Sequence, residues 1–232
     1  MSNHGSLRVV YNIKHPNGSI RLFNHLNHLK LITLFHKRFS LNLKHDLAIM
    51  STQPASFQTL DQTTLRGLFY TPKNYSGQKL PCVVISHGFS ATKDQGLTAV
   101  AEYLVANLPI TALVFDNRGF GESDAGVGRP RLEVDAPIQI SDISDAITYA
   151  QTRPEVDPTK IGIWGSSFSG GNVLWVAAVD RRVKAVVSQA PLVEGYSAFA
   201  NLIRSDDIAD WEADFQKGSC RPNRLTHLLS FD

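Results

Sequence analysis

From about residue 56 onward, short and continuously apolar runs of strand length alternate with segments whose apolar residues recur at helical spacing, and this alternation restricts the fold more than any other feature. The strand-like runs are Leu65–Thr71, Cys82–Ser86, Ile110–Phe115, Ile161–Gly165 and Val183–Ser188. Between them lie Leu97–Asn107, Ile138–Thr152 with Ile140, Ile143, Ile147 and Ala150 on one face, and Phe168–Val179. A parallel crossover needs a helix to return the chain, so the pattern predicts an α/β fold with a doubly wound, mostly parallel sheet. Strands covered on both faces are apolar throughout, as these runs are. No internal repeat, low-complexity tract or Gly/Ser linker interrupts them, so residues 51–216 read as one core with the start of a cap region.

Composition removes other classes. With 43% hydrophobic and 19% charged residues, 16 Gly and 11 Pro, the chain of 232 residues is neither disordered, collagen-like nor a coiled coil. Cys82 and Cys220 cannot make a disulfide framework and belong to no Cys/His cluster of zinc spacing, so neither a metal nor an organic cofactor is expected. No stretch approaches the roughly 20 apolar residues that span a bilayer, and a cytoplasmic location is the default.

The net charge of +2 conceals an asymmetry: residues 1 to 45 hold seven Lys or Arg and no acidic residue, which leaves sixteen basic against twenty-one acidic in the remainder. A basic arm for nucleic acid or a transit peptide are functional readings of that segment. The reading adopted is a disordered extension over residues 1–50 with no nucleic-acid partner. Met50 is the only methionine after Met1 and runs directly into strand-like sequence, so either could be the start. Residues 217–232 form an atypical tail, where Ala-Asp-Trp-Glu-Ala-Asp-Phe-Gln gives way to Gly-Ser-Cys-Arg-Pro-Asn-Arg.

Residues with chemistry concentrate at the C-terminal ends of the strands, where open α/β sheets place ligands. In Ile161-Gly-Ile-Trp-Gly165-Ser166-Ser167-Phe168-Ser169-Gly170-Gly171 a strand passes through small residues straight into a helix. A nucleophile on such a sharp turn needs small neighbours two residues to either side, and Gly165 and Ser169 supply them around Ser167. Ser169 stands where the G-x-S-x-G pattern has its last glycine. The bland alternative is that Ser167 merely caps a helix.

A second run, Val83-Val-Ile-Ser-His87-Gly88-Phe89, ends a buried strand in His-Gly. An oxyanion developing in acyl transfer needs two backbone N–H donors, one after the nucleophile and one from such a loop, and Phe168 and Phe89 are the candidates. His87 could be a base, but its place before the serine suits it to shaping this loop. The third run, Ala112-Leu-Val-Phe-Asp116-Asn117-Arg118-Gly119-Phe120-Gly121-Glu122-Ser123, begins like a dinucleotide fingerprint but lacks the third glycine and the helix. Asp116 and Arg118 are expected to brace the loop beside the nucleophile.

In this order and spacing the three motifs resemble the α/β-hydrolase superfamily over about residues 56 to 200. They are most similar to its dienelactone-hydrolase-like and X-Pro-peptidase/acylase-like branches, where an aromatic residue and a glycine follow the nucleophile, here Phe168 and Gly170. Trp164-Gly-Ser-Ser-Phe-Ser-Gly-Gly-Asn-Val-Leu also looks like fungal hydrolases and polyketide transferases of secondary-metabolite and toxin clusters. The resemblance implies a serine-dependent acyl hydrolase or acyl transferase. Its substrate would be a small-molecule ester or thioester, such as a polyketide acyl chain linked to a carrier protein or CoA. Family analogy also suggests a peroxisome or other organelle, although Ser230-Phe231-Asp232 is not a peroxisomal signal.

The same resemblance exposes a departure. In this fold the acid and the base follow the serine in the order Ser, Asp or Glu, then His. After Val183–Ser188 too few residues remain for a cap and two further strand-helix units of ~30 residues each, so the sheet is expected to lack its last strands. Asp206, Asp207, Asp210, Glu212 and Asp214 fall in an amphipathic stretch and read as solvated charges of a cap helix. His227 is the one histidine after Ser167, and so the candidate base in the order this fold uses, with no strand before it. A truncated, catalytically inactive relative is therefore the alternative function.

Overall fold

The computed structural model describes residues 50–195 and 207–216. The N-terminal extension, the C-terminal tail, Asp206 and His227 lie outside the described residues. The elements in chain order are β1 (Met50–Gln58), β2 (Thr64–Pro72), β3 (Leu80–Ser86), α1 (Leu97–Asn107), β4 (Thr111–Phe115), α2 (Ala136–Thr152), β5 (Val156–Ser166), α3 (Phe168–Val179), β6 (Val183–Gln189) and α4 (Ile208–Gln216). The strands form one sheet in the order β1-β2-β4-β3-β5-β6. β1, β2 and β4 are antiparallel neighbours in turn, whereas the β4-β3, β3-β5 and β5-β6 pairs are parallel.

β4 shows why the apolar runs were continuous. All its residues are buried, with Leu113 and Phe115 on one face and Ala112 and Val114 on the other. The first face packs under α2 and α3, through Ile143, Ala146, Ile147, Val173 and Val176, together with Phe57, Leu65, Phe69, Val84, Ile161 and Ile163 from the other strands. The second face packs under α1, where Leu97, Ala101 and Val105 meet Tyr70, Ile85 and Trp164. The sheet is therefore doubly wound, as expected. Each of the buried Val, Leu, Ile and Phe side chains contributes on the order of 1.5–3 kcal/mol through the water it sheds.

Element ends depart from the apolar runs for local reasons. β1 lies outside those runs because it is an edge strand, exposed over Ser51–Pro54, that buries Ala55 and Phe57 and rests Met50 against the second face of the core. β5 begins at Val156, ahead of its apolar part, because Val156 already pairs with Leu80 across a polar stretch that ends in a bulge. α2 starts at Ala136 because Asp135 caps it, accepting the Ile138 N–H at 3.2 Å, and Pro137 fits the first turn. The amphipathic stretch after Asp206 is helical from Ile208, and Asp210 and Ala209 are exposed.

The sheet adds β4 on one side of β3 and β5 on the other. The chain thus reverses its winding at β3, and the loops after β3, β4 and β5 converge at the carboxyl ends of these three strands.

Candidate active site

Ser167 is the single residue between the end of β5 and the start of α3. Its backbone sits at φ 54° and ψ −119°, the first central position of a type II′ turn, which suits glycine and strains a residue with a Cβ. The surroundings hold it there. Its N–H donates to the Gln189 carbonyl at 2.9 Å, and its own carbonyl accepts the Leu192 N–H at 2.9 Å and the Gly171 N–H at 3.3 Å. The end of β6 thus clasps the turn from outside, helped by the Ser188 hydroxyl, which donates to the Gly170 carbonyl at 2.9 Å. On the inside, a Cβ at Gly165 would lie 2.4 Å from the Ser169 carbonyl oxygen and 3.0 Å from Val173 Cγ1, so only glycine fits. Ser167 is exposed, while Ser169 is fully buried.

The loop after β3 lies against this turn. A Cβ at Gly88 would come within 3.1 Å of the Ser166 carbonyl oxygen and 3.2 Å of Ser167 Cβ. The rings of Phe89 and Phe168 meet edge to face, 6.1 Å between centroids, beside the exposed serine. Phe168 heads α3, where an N–H has no carbonyl one turn back to bond.

His87 is 1% exposed. Its Nε2 accepts the Asn117 N–H at 2.9 Å, which leaves the proton of a neutral ring on Nδ1, 2.9 Å from the Gly88 carbonyl to which it donates. Burial pushes its pKa below the ordinary histidine value, despite the Gly88 bond and the charge of Asp116, and Lys93 lowers it further. A neutral ring with both nitrogens bonded shapes the loop and offers no lone pair to Ser167. His87 is the only histidine among the described residues.

The loop after β4 is braced from two sides. Asp116, fully buried, accepts the Lys93 N–H at 2.7 Å, the Lys93 ammonium at 3.0 Å and the Glu122 N–H at 3.0 Å. Gly121 passes close over that carboxylate at φ +47°, where a Cβ would stand 2.2 Å from Asp116 Oδ2. Arg118 forks onto Asp142 at 3.0 and 2.6 Å and onto Asp61, and its Nη1 donates to Thr63 Oγ1 at 3.1 Å. It thereby ties α2 and the β1–β2 turn to the loop. Both side chains brace, as the motif suggested.

Sequence reasoning missed Lys93, Asn117 and Ser86. The Ser86 hydroxyl donates to Asn117 Oδ1 at 2.9 Å and accepts the Ser169 hydroxyl at 2.6 Å. Asn117 stood inside the third motif, but nothing local signals a contact with a residue some thirty positions away. Among the described residues no three His, Cys, Asp or Glu side chains could together hold a metal ion. No helix among them is long and apolar enough to cross a membrane.

Residues 61–229 match the family described as X-Pro dipeptidyl-peptidase (S15 family), which spans all three motif loops. The chain belongs to that family. It is 42% identical over 142 residues to polyketide transferase claH of Penicillium crustosum, an alignment covering 61% of this chain and 45% of the relative. Against thiohydrolase aneE of Aspergillus aculeatus it is 40% identical over 138 residues, 60% of this chain and 41% of the relative. Among solved structures, the alpha/beta hydrolase GrgF from Penicillium sp. sh18 superposes with a TM-score of 0.56 at 32% identity, covering 72% of this chain and 56% of that one. The S15-family chain thus has the α/β-hydrolase fold expected from its motifs, and it spans less than half the length of these curated relatives.

Proposed function

We propose that this S15-family chain supports serine-dependent acyl transfer from an ester or thioester, to water or to an acceptor. Ser167 is the nucleophile, and the Phe89 and Phe168 amides receive the oxyanion. The single observation that carries the reading is the backbone of Ser167: an exposed hydroxyl held at φ 54°, ψ −119° between a strand and a helix N-terminus. Strain of this kind persists only where surrounding contacts enforce it, and it presents the side chain at the sheet's carboxyl edge. The names of the relatives, polyketide transferase and thiohydrolase, favour a polyketide acyl chain held as a thioester; a carrier protein or CoA is the proposed thiol component.

A base must take the serine proton, and His87 is committed elsewhere. His227 is assigned that role. The commitment of His87 also favours a second reading, a catalytically silent relative that binds acyl compounds without turning them over. Loss of a triad histidine lowers kcat by about 10⁶ in a well-studied serine protease, leaving on the order of 10³–10⁴ over water.

A serine-directed fluorophosphonate tests the nucleophile. Label is expected on Ser167 and absent from Ser167→Ala; label on Ser166 or Ser169, with Ser167→Ala fully labelled, overturns the assignment. Hydrolysis of a p-nitrophenyl ester and an N-acetylcysteamine thioester then separates the two readings. Turnover abolished by His227→Ala supports the enzyme, and labelling without turnover supports the silent relative.

A further inference from the structure

A hydrogen-bond chain, buried as far as the His87 ring, runs from the first turn of α3 to the peptide that carries the Phe89 N–H. Ser169 Oγ donates to Ser86 Oγ (2.6 Å), and Ser86 Oγ donates to Asn117 Oδ1 (2.9 Å). The Asn117 side-chain amide donates to the His87 carbonyl at 3.2 Å, and its backbone N–H donates to His87 Nε2 at 2.9 Å. His87 Nδ1–H then donates to the Gly88 carbonyl at 2.9 Å. None of Ser169, Ser86, Asn117 and His87 is more than 1% exposed, so the links among these four lie out of bulk water, and only the last link, to half-buried Gly88, is open to it.

The last link has a directional consequence. In a trans peptide the carbonyl oxygen and the following N–H point to opposite sides of one plane. Fixing the Gly88 carbonyl on the His87 ring therefore fixes the Phe89 N–H pointing away from that ring. The first link begins two residues after Ser167, on the turn that positions the nucleophile.

We propose that Ser169, with Ser86 and Asn117, is a positioning residue that couples the serine turn to the orientation of the Phe89 peptide. Serine in place of the last glycine of G-x-S-x-G is then a functional choice: a glycine would fit, but it would leave the buried Ser86 Oγ without its donor. Each hydroxyl has one proton to donate, so the directions are set from one end. That end is the His87 carbonyl, which can only accept: it takes the Asn117 amide hydrogens, Asn117 Oδ1 takes the Ser86 proton, and Ser86 Oγ takes the Ser169 proton. Flipping Asn117 would set its side-chain oxygen against the His87 carbonyl, two acceptors 3.2 Å apart. The coupling to catalysis rests on the acyl-transfer reading above; the coupling between the two loops does not.

The test uses the full chain with Ser169→Gly, Ser86→Ala and the double variant. Ser169→Gly restores the pattern residue and keeps the helix start intact. The first readout is the pair of ¹H–¹⁵N signals from His87 Nδ1–H and the Phe89 amide. Solvent exchange of the Nδ1 proton is expected to quicken about tenfold in each single variant, and the Phe89 amide signal to move. The second is fluorophosphonate labelling at Ser167, split into kinact and KI. Loss of a whole oxyanion donor costs about 10²–10³ in rate, so misorientation of one is expected to lower kinact about tenfold with KI unchanged. The double variant should be no slower than the slower single, because one broken link already opens the chain. Unaltered His87 and Phe89 signals in both single variants, with only thermal stability reduced, overturn the proposal, as does an unchanged kinact. A parent chain that takes no label on Ser167 defeats the nucleophile assignment alone, since the exchange measurement still decides the coupling.

Discussion

Lys93 places both its backbone N–H, at 2.7 Å, and its ammonium, at 3.0 Å, on the carboxylate of Asp116. The Lys93 side chain is 6% exposed and that of Asp116 0%, so the pair is a buried clamp between the loop after β3 and the loop after β4. Two charges taken out of water stabilise a fold only weakly as a pair, but removing one of them strands the other.

Asp116→Asn is therefore expected to lower unfolding free energy by about 3 kcal/mol, towards the lower end for a broken buried pair, because Glu122 still reaches the ammonium at 2.8 Å. Adding Lys93→Met should restore part of the loss. Urea denaturation of the two single variants and the double gives the cycle. Strictly additive losses would show that the two groups do not act as a pair.

The acid limb of stability should carry a His87 contribution. Burial depresses its folded pKa below the ordinary value near 6.5, so at slightly acid pH the unfolded chain binds a proton that the native ring refuses. Stability from the neutral ring is thus complete above about pH 6.5 and is lost as pH falls through the depressed folded value. Protonated Nε2 would also oppose the Asn117 N–H that it now accepts. Denaturation at pH 7.5, 6.5 and 5.5 should show a steeper fall for the parent than for His87→Asn. The difference isolates this residue from the histidines shared by both proteins. Equal slopes would mean that His87 titrates alike in both states.

Gly165→Ala should disable the site without touching any reacting atom. The added methyl would sit 2.4 Å from the Ser169 carbonyl oxygen, a backbone atom that moves only if α3 moves. Overpacking of this kind costs about 1–3 kcal/mol and displaces the turn. Fluorophosphonate labelling at Ser167 is expected to fall at least tenfold while circular dichroism stays native. Unchanged labelling would show that the turn tolerates a larger neighbour.

The parts of this architecture visible in the sequence are those set by local pattern. β4 announces itself because every position is covered, and Gly165, Ser167 and Phe168 because a strand, a strained turn and a helix follow one another without a spacer. β1 was faint because its polar residues face water on an edge, and the beginning of β5 because Asp157, Thr159 and Lys160 give a strand no apolar signature. Buried Gln139 and Asp142 interrupt the apolar face of α2 for partners that only folding supplies, Asn172 and Arg118. The Ser86–Asn117 contact exists only because β3 and β4 are parallel neighbours in register, with Ser86 level with Phe115. No local pattern contains that register.

The strain at Ser167 itself can be measured by removing it. At φ 54° and ψ −119° a Cβ is held in a region that costs of order 1–3 kcal/mol for non-glycine residues and nothing for glycine. Ser167→Gly releases that strain but adds unfolded-state freedom worth roughly 0.5–1 kcal/mol. The net expectation is a gain of about 1 kcal/mol, or a rise in Tm of roughly 2–4 °C for a chain of this size. Ser167→Ala keeps the Cβ and loses only an exposed hydroxyl, so its stability should match the parent within about 0.5 kcal/mol. Both variants should be blind to the fluorophosphonate. Comparing glycine with alanine therefore separates backbone strain from loss of the hydroxyl, and a sheet that exchanges stability for a poised side chain should prefer glycine in calorimetry alone. If Ser167→Gly melts no higher than Ser167→Ala, the clasp formed by Gln189 and Leu192 stores no strain in this turn, and Ser167 is not held there against a backbone cost.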